Sequence, residues 1–313
     1  KKQWQWDLNF TYTRNRNKIV ELSPDVTSYI NLDGAANYGN YRIASVAKVG
    51  SDYGMLMSDS WIKTDEKTGK PVVGYTNKFR TVYYKRGGTV KEVGSMLPNF
   101  LGSLNSTLRW KDLSLYVLFD ARFGGYVASY NSRYATAYGF SGETEKYRKG
   151  MTWTSKYANA QDKVFTDGFI PDVVFDAGTI VTTPGGTNQD VSGMTYQEAY
   201  EKGYVEPAHL QSAAYFKNSW GTGVINDDWF KKINYIALRE ITLSYNVPTK
   251  ISSYIGAKNL SLSFTGRNLA YLLNTAPNHE NPESVRGTGA AQFRMRSFMP
   301  YTASYLFTLN ATF

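Results

Sequence analysis

The stretch PYTASYLFTLNATF (300–313) has two different faces when read alternately. Ala303, Tyr305, Phe307, Leu309, Ala311 and Phe313 fall on one side, and Thr302, Ser304, Leu306, Thr308, Asn310 and Thr312 on the other. A period of two predicts a β-strand, because successive side chains of a pleated chain point to opposite faces. An apolar face backed by hydroxyls and amides, over about ten residues, suits a strand that separates lipid from a watery lumen. A strand of a soluble sandwich alternates as well, so the rest of the chain has to decide.

The composition narrows the choice. Of 313 residues, 15% are aromatic, 25 of them Tyr, yet the mean hydropathy is −0.42. Many rings with few aliphatic runs suit β-structure whose surface is half apolar. No run approaches the roughly 18 consecutive apolar residues of a helical membrane span, which says nothing against a barrel that crosses with strands. Cysteine is absent, which removes disulfides, thiol catalysis and Cys-based metal sites. The only histidines, His209 and His279, are far apart in sequence. A His-ligated metal site or a Ser-His-Asp triad therefore has little support, and the chain reads as a non-enzyme with no metal or cofactor. The net charge of +9 comes from 35 Lys+Arg against 26 Asp+Glu, spread along the chain. That distribution argues against a nucleic-acid stripe and for loops and membrane edges that face anionic headgroups.

Further alternating runs match the closing one. In Gln3–Thr13, Trp4, Trp6, Leu8, Phe10 and Tyr12 oppose Gln5, Asp7, Asn9, Thr11 and Thr13. Asn99–Trp110 and Leu113–Phe123 alternate in the same way and are separated only by Lys111 and Asp112, a strong hairpin signal. Phe230–Asn246 and Asn259–Tyr271 complete six strands, with Pro248 and a short helical turn (247–256) between the last two. Residues 21–97 read as a long connection holding short β-pieces at Arg42–Val49, Val72–Tyr75 and Arg80–Lys85. Residues 126–228 form a second connection with one short helix, Thr195–Lys202, and 273–299 a third. Connections of this size do not suit a compact sandwich. Short and long connections alternate strictly, as in an all-β, transmembrane, antiparallel up-and-down barrel with one elaborate face. On the apolar side, Trp4, Trp6, Trp110, Tyr245 and Phe313 cluster near the short turns as an aromatic girdle, with Tyr12, Phe123 and Ala303 toward the other edge. On the polar side, Asp120, Arg122 and Arg267 are candidates to meet a ligand, a plug or one another.

Several pieces in order also resemble a known family. They are LPNFLGSLNSTLRWKDLSLYVLFDARFGG (97–125), IALREITLSYNVP (236–248), KNLSLSFTGRNLAYLLN (258–274), NPES (281–284) and the closing strand. Together they resemble the C-terminal end of the SusC/RagA-like TonB-dependent outer membrane transporters of Bacteroidetes. The matching positions are Tyr245–Pro248, Asn268–Leu269, Asn281–Glu283 and Phe313. The resemblance implies that 1–313 is the C-terminal segment, six or so strands, of a 22-stranded barrel around a plug. Six strands alone would leave two open edges in lipid, where unpaired backbone groups are costly. The plug and earlier strands are therefore expected elsewhere in a longer polypeptide, as is the segment that meets TonB.

The implied function is TonB-dependent import of a large nutrient, an oligosaccharide or a peptide, across the Gram-negative outer membrane. The implied partners are a SusD-like surface lipoprotein, TonB and outer membrane lipid, with dimers of transporter–lipoprotein pairs found in the family. Phe313 would carry the assembly signal. Trp153, Tyr157, Trp220 and Trp229 in the long connections would offer rings to a substrate, or would pack the loops together. A passive porin or barrel-anchored adhesin fits the alternation but not the family-like pieces. A soluble secreted carbohydrate-binding β-sandwich fits least.

Overall fold

A computed structural model describes residues 3–32, 43–137, 140–141, 150–209, 230–286, 289, 292–296 and 300–313. Its backbone is a single wall of six long strands, numbered β1 (Trp4–Thr13), β2 (Phe100–Trp110), β3 (Leu113–Ser129), β4 (Phe230–Val247), β5 (Asn259–Asn274) and β6 (Ser304–Thr312). They lie in the sheet in chain order, and each pairs antiparallel with the next. This is the up-and-down arrangement the alternating runs predict.

One register runs across all six strands. Trp4 faces Trp110, which faces Leu113, then Tyr245, Leu262 and Leu309. The next apolar row is Trp6, Leu108, Leu115, Leu243, Phe264 and Phe307. These side chains stay in the open: Trp6 is 66% exposed, Phe10 67% and Phe307 72%. Among the described residues nothing packs on that side, so the wall presents a continuous apolar face. The opposite face carries the hydroxyls, amides and charges.

Rings bound the apolar band at both ends. At the short-turn end Trp4 stacks on Trp110 with centroids 5.5 Å apart. At the other end Tyr12 stacks on Phe100 at 5.3 Å and Phe100 on Phe123 at 4.9 Å. From Phe100 to Trp110 is ten residue steps, or about 34 Å along a strand and about 25 Å of height at a tilt near 45°.

The short ends need little chain. Lys111 takes φ +52° in the β2–β3 turn, and Asp112 accepts from the Asn246 N–H at 2.8 Å. Between β4 and β5, Pro248 stops the strand and Thr249–Ser252 makes one helical turn that ends at Gly256 with φ +75°.

The long connections are more built than the sequence suggests. The first forms a four-stranded sheet of Tyr29–Asn31, Ile43–Lys48, Met55–Ser58 and Lys91–Ser95. Ile43 and Leu56 of that sheet, and Met96 just after it, pack against Ala128 at the top of β3, Tyr130 just beyond it and Phe230 at the start of β4. β3 continues past Phe123 to Ser129 and runs into α1 (Tyr130–Ala137), where the sequence reads as loop. The hairpin Val72–Thr76 and Thr81–Tyr84 belongs to the first connection, yet it pairs in parallel with Val174–Phe175 of the second. Val73, Val82, Phe175, Val181, Val191 and Tyr196 close a core between them. The helix expected at 195–202 is α2 (Tyr196–Glu201); Thr195 and Glu198 cap it reciprocally, which satisfies two otherwise unpaired N–H groups. Lys63 and Lys85 clamp Asp176 at 2.8 and 3.3 Å, and Lys70 meets Asp172 at 2.7 Å.

Phe175, 1% exposed, is the centre of that module. Phe175→Ala is expected to cost it about 3–5 kcal/mol. Hydrogen exchange should then accelerate over 72–84 and 173–205 together and leave β2–β5 unchanged. Faster exchange in only one of the two segments would show that they do not share a core.

Candidate functional site on the polar face

The polar face is a graded array of pairs. Near the short turns Asp7 accepts from Arg109, and Gln5 also donates to it at 3.2 Å. In the middle Ser244 and Ser263 hydroxyls meet at 2.8 Å, and Thr242 and Thr265 at 2.8 Å. Above them Arg267 Nε donates to Glu240 at 2.8 Å, and Thr242 donates to the other oxygen of Glu240 at 3.0 Å.

Beyond Glu240 the register slips. Leu238 pairs with Phe119 and Glu240 with Leu118, so Arg239 is the extra residue of a bulge. The same slip occurs against β5, where Asn268 takes φ +51°. A bulge re-aims side chains, and here it sends two consecutive residues, Arg239 and Glu240, to one face. Arg239 donates to Asp120 at 2.9 Å and to Glu283 at 2.6 Å. Glu283 also accepts from Tyr271 at 2.7 Å and Tyr235 at 3.4 Å. Asn281 Oδ1 accepts from Tyr271 at 3.0 Å and from the Glu283 N–H at 3.1 Å.

The third connection is therefore folded back onto the polar face and does not stand clear of it. Ala276, Val285 and Met295 pack there on Ile233, Tyr235 and Ala237 of β4 and Val127 of β3. Arg294–Met295 runs in parallel beside Ala128–Ser129. Three residues before Glu283, Glu280 is 8% exposed. Ser129 and Asn131 donate to it at 3.4 Å each.

The two acids of this loop shift in opposite directions. Burial pushes the Glu280 carboxyl up, and its neutral donors only partly offset this. Burial also opposes ionisation of Glu283, but Arg239, Tyr271 and Tyr235 outweigh it and hold its carboxyl below the usual range.

Asp120 and Arg267 sit in ion pairs with Arg239 and Glu240, residues that alternation alone did not single out. The signal for Arg239 was a charged residue beside Glu240 in an otherwise alternating strand. Arg122 has a different setting: its Nε and Nη2 donate to the carbonyls of Gly124 and Met96 at 3.3 and 3.4 Å. Of the loop rings, Trp153 stacks on Phe165 at 5.0 Å and lies 4.9 Å from His209, whose Nδ1 is 3.1 Å from Asp167. Tyr157 is buried; Arg80 covers its ring at 4.6 Å and its hydroxyl lies 3.4 Å from that of Tyr75. Tyr157 is thus a packing residue, while Trp153 keeps part of its surface open. Tyr75, Arg80, Tyr157, Phe165 and His209 border a shallow cleft with a cavity volume of only about 10 Å³. Trp220 and Trp229 lie outside the described residues. Trp4, Trp6, Trp110 and Tyr245 share the short-turn end of the apolar face. Phe313 is 71% exposed just past β6, and its carbonyl accepts from Lys258 at 3.1 Å. Among the described residues no group of three or more His, Asp or Glu is placed to hold a metal ion.

The described chain is thus an amphipathic, antiparallel, up-and-down wall with structured connections at one end and a loop pinned on its polar face. No family model and no curated protein matches the sequence. Solved structures do match. A chain of the RagAB peptide importer in its open-open state aligns with 100% of this chain at TM-score 0.52 and 12% identity. The closed-closed importer aligns at TM-score 0.52 and 13% identity, and the RagAB peptide transporter at 0.51 and 13%. This chain spans 27% of the length of the first of them. The fold is similar to that of part of these importer chains, in line with the resemblance read from the sequence.

The opposed acids give a test. Glu280, with its carboxyl raised, supports the loop fully below the ordinary glutamate pKa, and that support is lost as pH rises through its folded value. Glu283, with its carboxyl lowered, supports the loop above the ordinary value, and that support is lost as pH falls through its folded value. Glu280→Gln should slow hydrogen exchange of 275–286 at neutral pH. Glu283→Gln should speed it there, by the equivalent of about 1–2 kcal/mol after allowance for partial exposure. Shifts of the same sign in both variants would overturn the assignment.

Proposed function

We propose that this chain is the last six strands of a 22-stranded TonB-dependent outer membrane transporter that imports a large nutrient together with a SusD-like lipoprotein. The carrying observation is the apolar band, bounded above and below by stacked rings and about 25 Å tall, the height that an outer membrane wall presents to lipid. The fold likeness to the RagAB importer chains over the whole of this chain supports the same reading.

In this reading Trp4, Trp6, Trp110 and Tyr245 form the girdle at the periplasmic, short-turn interface, and Tyr12, Phe100 and Phe123 the outer one. Phe313, at the end of a lipid-facing strand, serves as the assembly signal. The long connections are extracellular, and the module around Phe175 offers the lipoprotein a stiff surface. The polar face lines the lumen with Asp120, Arg122 and Arg267, and Trp153 is a ring within reach of incoming substrate. The segment that meets TonB lies outside this chain, and transporter–lipoprotein pairs associate as dimers. RagAB, by name, imports peptides; for this transporter a peptide or an oligosaccharide fills that role.

Two measurements test the proposal. Val117 lies on the apolar face midway between the ring rows, and Val117→Arg is expected to destabilise the full-length protein in lipid by about 2–4 kcal/mol. Thr107→Arg, on the polar face, should change stability far less, and equal losses in urea unfolding would remove the lipid wall. Deletion of the gene should slow growth when a peptide or glycan mixture is the sole nutrient, and re-expression should restore it. Normal growth on every member of such a panel would refute nutrient import.

A further inference from the structure

Four arginines of the six strands touch the polar face, and one is treated differently. Arg109 faces Asp7, Arg239 faces Asp120 and Glu283, and Arg267 faces Glu240. Arg122 has two neutral carbonyls and, among the described residues, no carboxylate within ion-pair distance. Carbonyls hold a guanidinium in place but do not neutralise it, and Glu283 acts on this one only from beyond ion-pair distance, so the half-buried cation is incompletely compensated.

The backbone is shaped around this side chain. Gly124 and Gly125 both take φ +85°, which favours glycine. A Cβ on Gly125 would come within 2.6 Å of Arg122 Nη2 and 2.7 Å of the Met96 carbonyl, so only glycine lets the chain pass behind the guanidinium. The Gly124 N–H is held by Asn234 at 2.9 Å. With two of its five N–H groups spent on carbonyls, the fork retains donors for a partner. Arg122 opens on a cavity of about 240 Å³, whose other walls are Met96, Leu97, Pro98, Val285 and Gln292. The site thus combines one cation held in position, one amide and an apolar lining.

We propose that this cavity binds the terminal carboxylate of a peptide. The guanidinium matches a carboxylate with paired hydrogen bonds. Gln292 can satisfy the adjoining peptide group, and Met96, Leu97 and Val285 favour an apolar last side chain. An oligosaccharide without an acid offers the cation nothing. The proposal rests on the import reading and sharpens it, because it makes a free C-terminus the feature that is read.

The test uses the full-length transporter in detergent and an N-terminally fluorescein-labelled pentapeptide, Gly-Ser-Ala-Ala-Leu, as free acid and as C-terminal amide. Fluorescence anisotropy should show the acid binding at least about tenfold more tightly than the amide. Arg122→Gln should abolish the difference, and Gly125→Ala, which displaces the guanidinium, should reduce it. If neither variant folds, the acid–amide comparison on the wild-type protein still decides. Equal affinity for acid and amide overturns the proposal; this is also the result expected if an acidic side chain of the longer polypeptide already fills the cavity. Uptake of the labelled peptides by cells separates the two readings. Entry of both forms at the same rate leaves import standing and removes the Arg122 site. Neither binding nor entry of either form removes the Arg122 site, and growth on the nutrient panel then decides import by itself.

Discussion

The register shared by the six strands is the constraint on which everything else rests. A slip of one residue in any pair would turn the following strands inside out, because the side-chain period is two. Rings would then face the hydroxyls of their neighbours, and charges would move to the apolar face. Contacts on both faces resist such a slip. Trp4 on Trp110 and Phe100 on Phe123 stack only in this pairing. On the other side the Ser244–Ser263 and Thr242–Thr265 hydroxyl pairs and the Glu240–Arg267 ion pair need the same alignment. Each contact is worth about 1 kcal/mol or less, so the register is held by their number and by the desolvation cost of the alternative.

The wall breaks this register where it does more than span. The bulge at Arg239 and the Gly124–Gly125 step both lie toward the end with the long connections. The first adds a residue to the polar face, so one arginine can hold an acid of the wall, Asp120, and an acid of the third connection, Glu283. The second bends β3 around Arg122 and carries the strand on into the packed base of the loops. Bulges concentrate at rims and functional sites for this reason: they re-aim side chains without ending the sheet.

The wall was legible in the sequence because strand periodicity is local. Trp4–Thr13, Phe100–Phe123 and Ser304–Thr312 announce both faces within ten or so residues. The placing of Trp4, Trp6, Trp110 and Tyr245 at one end of one face could be read as well, since ring positions follow from strand phase once the turns at Lys111–Asp112 and Pro248 are seen. The module in the long connections could not. Val73 and Phe175 sit side by side in a parallel pair a hundred residues apart, and no local pattern carries that information. The same holds for Glu283, whose role depends on a loop folding back 44 positions to Arg239. Asp120 and Arg267 were visible as charges on the polar face, but their partners were hidden by the bulge, which shifts the phase on which alternation depends. Tyr157 shows the limit for loop aromatics, because composition cannot distinguish a ring offered to a ligand from one sealed under Arg80.

The third connection joins these parts thermodynamically. Glu283 fastens it to the wall through a cation and two tyrosines, while burial of Glu280, three residues earlier, favours its protonated form and its two neutral donors only partly offset this. Val285 and Gln292 of the same connection line the Arg122 cavity. Anything that loosens Glu283 must therefore change that cavity, and a ligand that fills the cavity against Val285 must in turn favour the pinned loop. The coupling requires no motion of the wall, because β3 and β4 are fixed by pairing along their length. It requires only that the loop and the ligand share the contacts that Val285 and Gln292 make at the cavity. Partly solvated ion clusters such as that around Glu283 contribute little net energy because desolvation offsets attraction, so a ligand of modest affinity that packs against Val285 adds appreciably to the hold on the loop while the strands behind it stay in place.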